Sequence, residues 1–253
     1  MIDISIIIPA YNNLDLLKQS LMSVLKQKNI ELEVIVVDDS KSLKIENFIE
    51  KLNSPKIKYF KNNTNNGAVN NWNYGLTLAQ GRYVTILHHD EYYEDAEDQL
   101  YYLMNNTSNF DIIISKVLVI KNKNESYSLR LNKYFKSFIL NFAPSFLFFY
   151  NFIGPMSTVI FKNETNKIFN TNLKWYVDVD WYYRIFKNKQ IKYIDYSIIN
   201  SILYHDEKIT NKIDISSEIT TDYKHLSKFY SKYSSPFLML SLNYIYKKLK
   251  FRF

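Results

Sequence analysis

Three apolar runs, each stopping abruptly in polar groups and each followed by a helical pattern, constrain this chain more than anything else in it. Residues 4–8 end in Pro9, Ala10, Tyr11 and Asn12, residues 32–37 end in Asp38, Asp39 and Ser40, and residues 83–87 end in His88, His89, Asp90 and Glu91. Continuous hydrophobic runs suit strands buried on both faces of a parallel sheet. Open α/β sheets bind ligands outside the carboxyl ends of such strands, so the three polar ends are expected along one binding edge.

Between these runs Leu14, Leu17, Leu21, Val24 and Leu25 fall on one helical face, and further helices are expected over 43–52 and 68–79, with a short strand over 56–60. Strand and helix alternating in this rhythm imply right-handed crossovers and an α/β fold with a mostly parallel, Rossmann-like sheet flanked by helices. Beyond residue 110 the pattern predicts strands over 111–120, 156–161 and 191–199 and a helix over 177–186. The stretch 121–133, rich in Asn, Lys and Ser, reads as an exposed loop. Residues 137–161 carry no charge, but Pro144, Gly154 and Pro155 interrupt them well short of the ~20 residues a membrane-spanning helix needs. A buried or interfacial helix pair over 137–150 is the reading.

The four glycines, at 67, 75, 81 and 154, match neither a dinucleotide fingerprint nor a P-loop, and they exclude a G-x-S-x-G nucleophile elbow. A bound nucleotide therefore needs side chains and a metal to manage its diphosphate. Cysteine is absent, which removes disulfides, thiolate metal sites and a Cys nucleophile. The first strand begins almost at once, with no basic leader before an apolar core, and the cytoplasm is the expected compartment.

Net charge is +7, and all of the excess follows Asp222, after which seven Lys and Arg residues meet no acid. The near-neutral body argues against nucleic acid as a partner. Two helical patterns, 217–233 and 235–251, form this basic extension, and Leu238, Leu242, Ile245 and Leu249 make one stripe on the second. Such a stripe beside lysines can dock on an anionic membrane surface or pack on the main body.

The chemistry-bearing residues each admit two readings. Asp90, with Glu91 and a diphosphate, can complete an oxygen shell for Mg²⁺ or Mn²⁺, or these acids can head the next helix. His88 and His89 point to opposite sides of an extended chain, so at most one faces a ligand. Asp38 and Asp39 can accept hydrogen bonds from a base or ribose, or cap a turn. Tyr11 can stack on a base or simply pack. Asp178, at the start of an apolar helix, can be a general base or an N-cap, and Asp180 can pair with Arg184 one turn on.

Taken in order, IIIPAYN, VIVVDDS, NGAVNNWNYGLTLAQGRYVTILHHDE, GPMSTVIF, VDVDWYYR and ILYHDEKIT resemble the family 2 glycosyltransferases of GT-A fold over about residues 2–210. The resemblance implies an inverting, metal-dependent transferase that uses a nucleotide-diphosphate sugar donor and extends a bacterial surface glycan such as lipopolysaccharide or capsule on a glycan or lipid-linked glycan acceptor. It makes 1–215 the transferase domain, with 1–110 for the donor and 111–215 for acceptor and base, and leaves 216–253 as a C-terminal helical extension. It assigns Pro9, Ala10, Tyr11, Asn12, Asp39, Asn73, His88 and His89 to the nucleotide-sugar, Asp90 and His205 to a Mn²⁺ or Mg²⁺ ion, and Asp178 to the catalytic base. His88 stands where many members have the first Asp of D-x-D, Trp72 where an Arg is common, Glu91 in place of a further Asp, and Val177 in place of an acid. His88, Glu91 and Val177 keep open a catalytically degenerate nucleotide-sugar binder of the same fold, and the basic tail makes a peripheral position on the inner face of the cytoplasmic membrane a further expectation.

Overall fold

The computed structural model describes residues 1–94, 97–107, 109–122, 125–128, 132–164, 168–202 and 214–251. Its first half runs β1 (Ile4–Ala10), α1 (Leu14–Leu25), β2 (Leu32–Asp38), α2 (Lys44–Leu52), β3 (Ile57–Lys61), α3 (Ala68–Leu78), β4 (Tyr83–Ile86), β5 (Glu91–Tyr93) and α4 (Gln99–Thr107). The second half runs β6 (Ile112–Asn122), β7 (Glu125–Ser128), α5 (Lys133–Phe142), a 3₁₀ turn at Pro144–Phe148, another at Met156–Thr158, β8 (Val159–Lys162), α6 (Val177–Phe186), β9 (Ile191–Ile202), α7 (Ile215–Phe229) and α8 (Ser235–Phe251).

The strands form one sheet in the order β3-β2-β1-β4-β8-β6-β9-β5, with β7 alongside β6. The expected parallel arrangement is carried by β3-β2-β1-β4 and again by β6-β9, while β8, β5 and β7 join antiparallel. Ile4 pairs with Leu32 and Ala10 with Asp38, and Ile7 pairs with Ile86. This common register brings the polar ends of β1, β2 and β4 to one edge.

Both faces of the parallel half are covered, which is why β1 and β2 are buried at every position. Ile4, Ile6 and Ile8 meet Leu17, Leu21 and Val24 of α1 on one side, and Ile7, Ile35 and Val37 meet Trp72 of α3 on the other. Truncating a fully buried leucine such as Leu21 to alanine costs about 2–5 kcal/mol in such a setting. Gly75 lets α3 lie this close: a Cβ there would stand 2.4 Å from the Ile7 Cγ2 methyl. α1 begins where Asn12 takes a left-handed φ of 56° and Asn13 caps the Leu16 N–H at 3.1 Å.

Three segments differ from expectation. The stretch read as a loop contains β7, whose backbone pairs with β6 through a register that its polar side chains do not advertise. The acids following His89 do not start a helix at once: Glu91–Tyr93 pairs with β9, and α4 begins only at Gln99. The expected strand over 156–161 starts three residues late because Met156–Thr158 forms a 3₁₀ turn, in which the Thr158 hydroxyl and N–H both donate to the Pro155 carbonyl. α7 and α8 are docked, not trailing: Ile219, Leu226 and Leu240 are fully buried in the core that holds Val177 and Trp181.

Candidate active site

At the ends of β1 and β2 the chain builds a polar cradle. The Ser40 hydroxyl accepts the Asn12 N–H at 2.7 Å, and the Asp39 N–H donates to the Ala10 carbonyl at 3.0 Å. Asp38 is consumed structurally: it is fully buried, accepts the Tyr59 hydroxyl at 2.8 Å, and pairs with Lys61 at 3.1 Å. Asp39 faces the other way. Its carboxylate accepts the Asn62 amide at 2.8 Å and the Asn66 and Gly67 N–H groups at 3.2 and 3.1 Å, so it shapes the loop between β3 and α3. Gly67, at φ 81°, supplies the backbone conformation this loop needs. Three donors leave a carboxylate with room for about one more, such as a ligand hydroxyl. Tyr11 lies partly exposed beside this cradle on the Pro9–Asn12 turn.

The turn after β4 is tied to the cradle and to α3. His89 Nδ1 lies 3.4 Å from the Pro9 carbonyl, and the His88 ring stacks on Trp72 with centroids 5.4 Å apart at 19°. The two departures at 72 and 88 are thus in contact, an aromatic stack. Asp90 is partly accessible at the tip of this turn, and its carbonyl accepts the Ile202 N–H. Glu91 does not join Asp90 as expected. It is buried on β5 and accepts the His88 N–H at 3.1 Å.

Asn73 clasps a different segment. Its amide donates to the Phe169 carbonyl at 3.0 Å and accepts the Phe169 N–H at 2.7 Å. Phe169 in turn meets Trp72 edge-on and stacks on Trp181 of α6 at 4.4 Å. His88, Trp72, Phe169 and Trp181 therefore form a continuous run of ring contacts from the β4 turn to α6.

Asp178 sits in the first turn of α6. Its Oδ1 accepts the Val179 N–H at 2.9 Å and its Oδ2 accepts the Asn151 amide at 3.0 Å. Burial raises its pKa to about 6, and these hydrogen bonds, which favour the ionised form, only partly offset that. Tyr182, one turn on, is held fully buried, and burial pushes its hydroxyl well up, with the charges of Asp178 and Glu91 adding to the effect. The Tyr182 hydroxyl donates to the Gly154 carbonyl at 3.2 Å.

What fixes the start of α6 is on another helix. Asp222 of α7, fully buried, accepts the N–H groups of Lys174, Trp175 and Tyr176 at 2.7–3.2 Å, capping a helix whose own N-cap residue, Tyr176, makes no side-chain cap. Asp180 pairs with Arg184 at 2.9 Å as its spacing predicts, and also accepts the Tyr230 hydroxyl at 2.6 Å. His205 lies outside the described residues. Sequence reasoning missed Asn151, Phe169 and Asp222. Only Asp222 carried a signal, as the last acid before a wholly basic segment.

Among the described residues no three His, Asp or Glu side chains are grouped to hold a metal ion. Mg²⁺-type ions are commonly held by one or two carboxylates together with substrate phosphates, and Asp90 meets that requirement while the inward-turned Glu91 does not.

A curated Escherichia coli relative, the UDP-Glc:alpha-D-GlcNAc-diphosphoundecaprenol beta-1,3-glucosyltransferase WfaP, is 37% identical over 90 residues, covering 36% of this chain and 36% of its own. The chain spans about a third to two thirds of the length of the first curated relatives it matches. Among solved structures, Staphylococcus aureus TarS in complex with UDP-GlcNAc superposes with a TM-score of 0.73 at 17% identity, covering 99% of this chain and 73% of that one. The Pyrobaculum calidifontis mannosyltransferase PcManGT, in complex with GDP-Man and Mn²⁺, superposes with a TM-score of 0.64 at 17% identity, covering 95% and 68%. These likenesses give the fold as GT-A type. The model of glycosyl transferase family 2 matches residues 5–173, two thirds of the sequence, and the chain belongs to that family.

Proposed function

We propose that this chain transfers a sugar, with inversion, from a nucleotide-diphosphate sugar to a hydroxyl of a glycan or lipid-linked glycan acceptor, with Asp178 as general base. The observation that carries the proposal is Asp178 itself: a partly accessible residue whose carboxyl is oriented by Asn151 and raised by burial to about 6, at the start of a helix whose entry is fixed by Asp222. A base with this proton affinity is ionised at neutral pH yet basic enough to accept a proton as the acceptor oxygen attacks.

In the step we infer, the acceptor hydroxyl gives its proton to Asp178 while its oxygen bonds to the anomeric carbon. The carbon–oxygen bond to the diphosphate breaks on the opposite side, and the nucleoside diphosphate leaves with the electron pair. Asn151 holds the Asp178 carboxylate in one orientation. Pro9, Ala10, Tyr11, Asn12 and Asp39 line the cradle for the nucleoside, and His88, stacked on Trp72, and His89, against Pro9, border it. Asn73 contributes indirectly, by clasping the Phe169 segment. Asp90, with His205 as a further candidate, would hold a Mn²⁺ or Mg²⁺ ion that neutralises charge on the departing diphosphate. The acceptor class is supported by WfaP, whose name specifies an undecaprenol-diphosphate-linked substrate.

The test is a thermal-shift panel of UDP-, GDP-, CMP- and dTDP-sugars, with and without Mn²⁺, on the wild type and on Asp90→Ala. We expect one nucleotide class to stabilise the protein by about 2–3 kcal/mol near 100 times its Kd, only with the metal and only with Asp90 intact. Donor stabilisation without any sugar release to acceptor or water would instead mark a degenerate binder.

A further inference from the structure

Two helices bordering the same turn present large apolar side chains outward. On α8, Leu238, Leu242, Ile245 and Leu249 are all exposed, Leu249 to 75%. At 100° per residue they fall within a 60° arc, with Lys248 and Lys250 to either side of it. The opposite face of α8 holds it down: Leu240 is fully buried, and Asn243 accepts the Tyr176 hydroxyl and donates to the Phe149 carbonyl. On α5, Lys136, Ile139 and Leu140 turn inward while Tyr134, Phe135, Phe138 and Phe142 stay exposed, Phe142 to 77%. Both helices pack on the 3₁₀ turn Pro144–Phe148, and the Phe135 ring meets Phe146 of that turn. Scattered exposed hydrophobics are ordinary; four on one stripe of each of two helices that share a packing turn are more than scatter.

Charge selects the partner. No acidic residue occurs between Glu125 and Glu164, and none follows Asp222, which is buried. Lys133 on α5 and Lys248 and Lys250 on α8 therefore lie in acid-free stretches of sequence at the margins of the apolar stripes, and Lys224, Lys228 and Lys232 precede α8. Aromatic and aliphatic side chains with lysines at their margins match the headgroup boundary of an anionic bilayer.

We propose that the outward faces of α5 and α8 form one surface that docks this protein on anionic membrane. The inward face of α8 adjoins the start of α6, since Asn243 accepts the Tyr176 hydroxyl and Asp178 follows Tyr176 by two. Docking would bring the helix that supports α6 to the surface where a lipid-carried acceptor resides. This last consequence rests on the proposed acceptor, whereas the docking itself does not.

The test is flotation with phosphatidylcholine vesicles containing or lacking phosphatidylglycerol, for the wild type, Phe138→Ser/Phe142→Ser, Leu242→Ser/Leu249→Ser and Lys248→Glu/Lys250→Glu. Flotation on anionic vesicles only, weakening as salt rises and falling about tenfold or more in each double variant, is expected. Wild type that stays with the soluble fraction at low salt, or variants that float as well as it does, would overturn the proposal. So would a concentration-dependent dimer that the same substitutions dissociate without altering flotation. Unchanged melting temperature shows that the variants fold, and unchanged donor-induced thermal shift separates failure of docking from failure of the transferase reading.

Discussion

Glu33 and Asp178 are both carboxylates drawn out of water, one at the amino edge of the sheet and one beside its carboxyl edge, and their proton affinities move in opposite directions. Burial works to raise both. At Glu33 it is outweighed, because Lys58 stands 2.7 Å away and the Ser5 hydroxyl and Gln80 N–H donate at 2.5 and 2.7 Å. Its carboxyl is held below the usual range. Asp178 receives only neutral donors, Asn151 and its own helix, and burial prevails. The amino edge is thus closed by charge pairing and serves stability. The carboxyl edge leaves one carboxylate desolvated without a compensating cation among its named partners, which suits proton transfer and costs stability.

That contrast is most directly broken at Asp178. Asp178→Asn is expected to lower the transfer rate by about 10²–10⁴-fold with the donor-induced thermal shift retained. A rate within a few-fold of wild type would remove Asp178 as the base. Next in size, Lys58→Met should destabilise the protein in urea unfolding by about 1–2 kcal/mol at pH 7, kept to that range because the Lys58 side chain is 39% exposed. Glu33 has a depressed folded pKa, so its contribution is present above the ordinary carboxylate value and fades as pH falls through the folded one. The Lys58→Met deficit should shrink in the same acid range, and a deficit independent of pH would mean that Lys58 acts by packing alone.

The smallest expected effect has the opposite sign. Asp178 has a raised folded pKa, so its ionised form penalises the fold above about pH 6, and the penalty is relieved as pH falls toward 4. Asp178→Asn should therefore be more stable than wild type at pH 8, on the order of 1 kcal/mol given its partial exposure, and the gain should vanish by about pH 4. The same group predicts an ascending limb in the rate profile near pH 6, which Asn151→Ala should move upward by removing a donor to the charged form. A limb unmoved by that substitution would detach Asn151 from the base.

The residues set in place by strand position were legible in sequence. Strand ends announce themselves because apolar runs and polar stops are local patterns, and so the Pro9–Asn12, Asp39 and His88–Asp90 segments stand at one edge as their spacing predicts. Residues that act through a distant partner were not legible. Asn151 reaches Asp178 across 27 residues, Phe169 is clasped by Asn73 across 96, and Asp222 caps α6 from 46 residues away. β5 and β7 escaped for a related reason: three or four residues are too few to show a period, and their pairing with β9 and β6 is made by backbone groups that every residue carries.

Asp38 and Asp39 illustrate the division well. Two adjacent acids at a strand end look equivalent in sequence, yet alternation along the strand sends the first to Tyr59 and Lys61 and the second to the loop before α3. The sequence by itself determined the alternation of strands and helices, the absence of a glycine-rich phosphate loop and the basic, acid-free terminal segment, because these depend on composition and short-range periodicity. Only the tertiary structure decided that Glu91 turns inward, that His88 stacks on Trp72, that the leucine stripe of α8 faces outward, and that burial raises the Asp178 carboxyl to about 6, because each depends on what distant segments place beside it and on how much water they exclude.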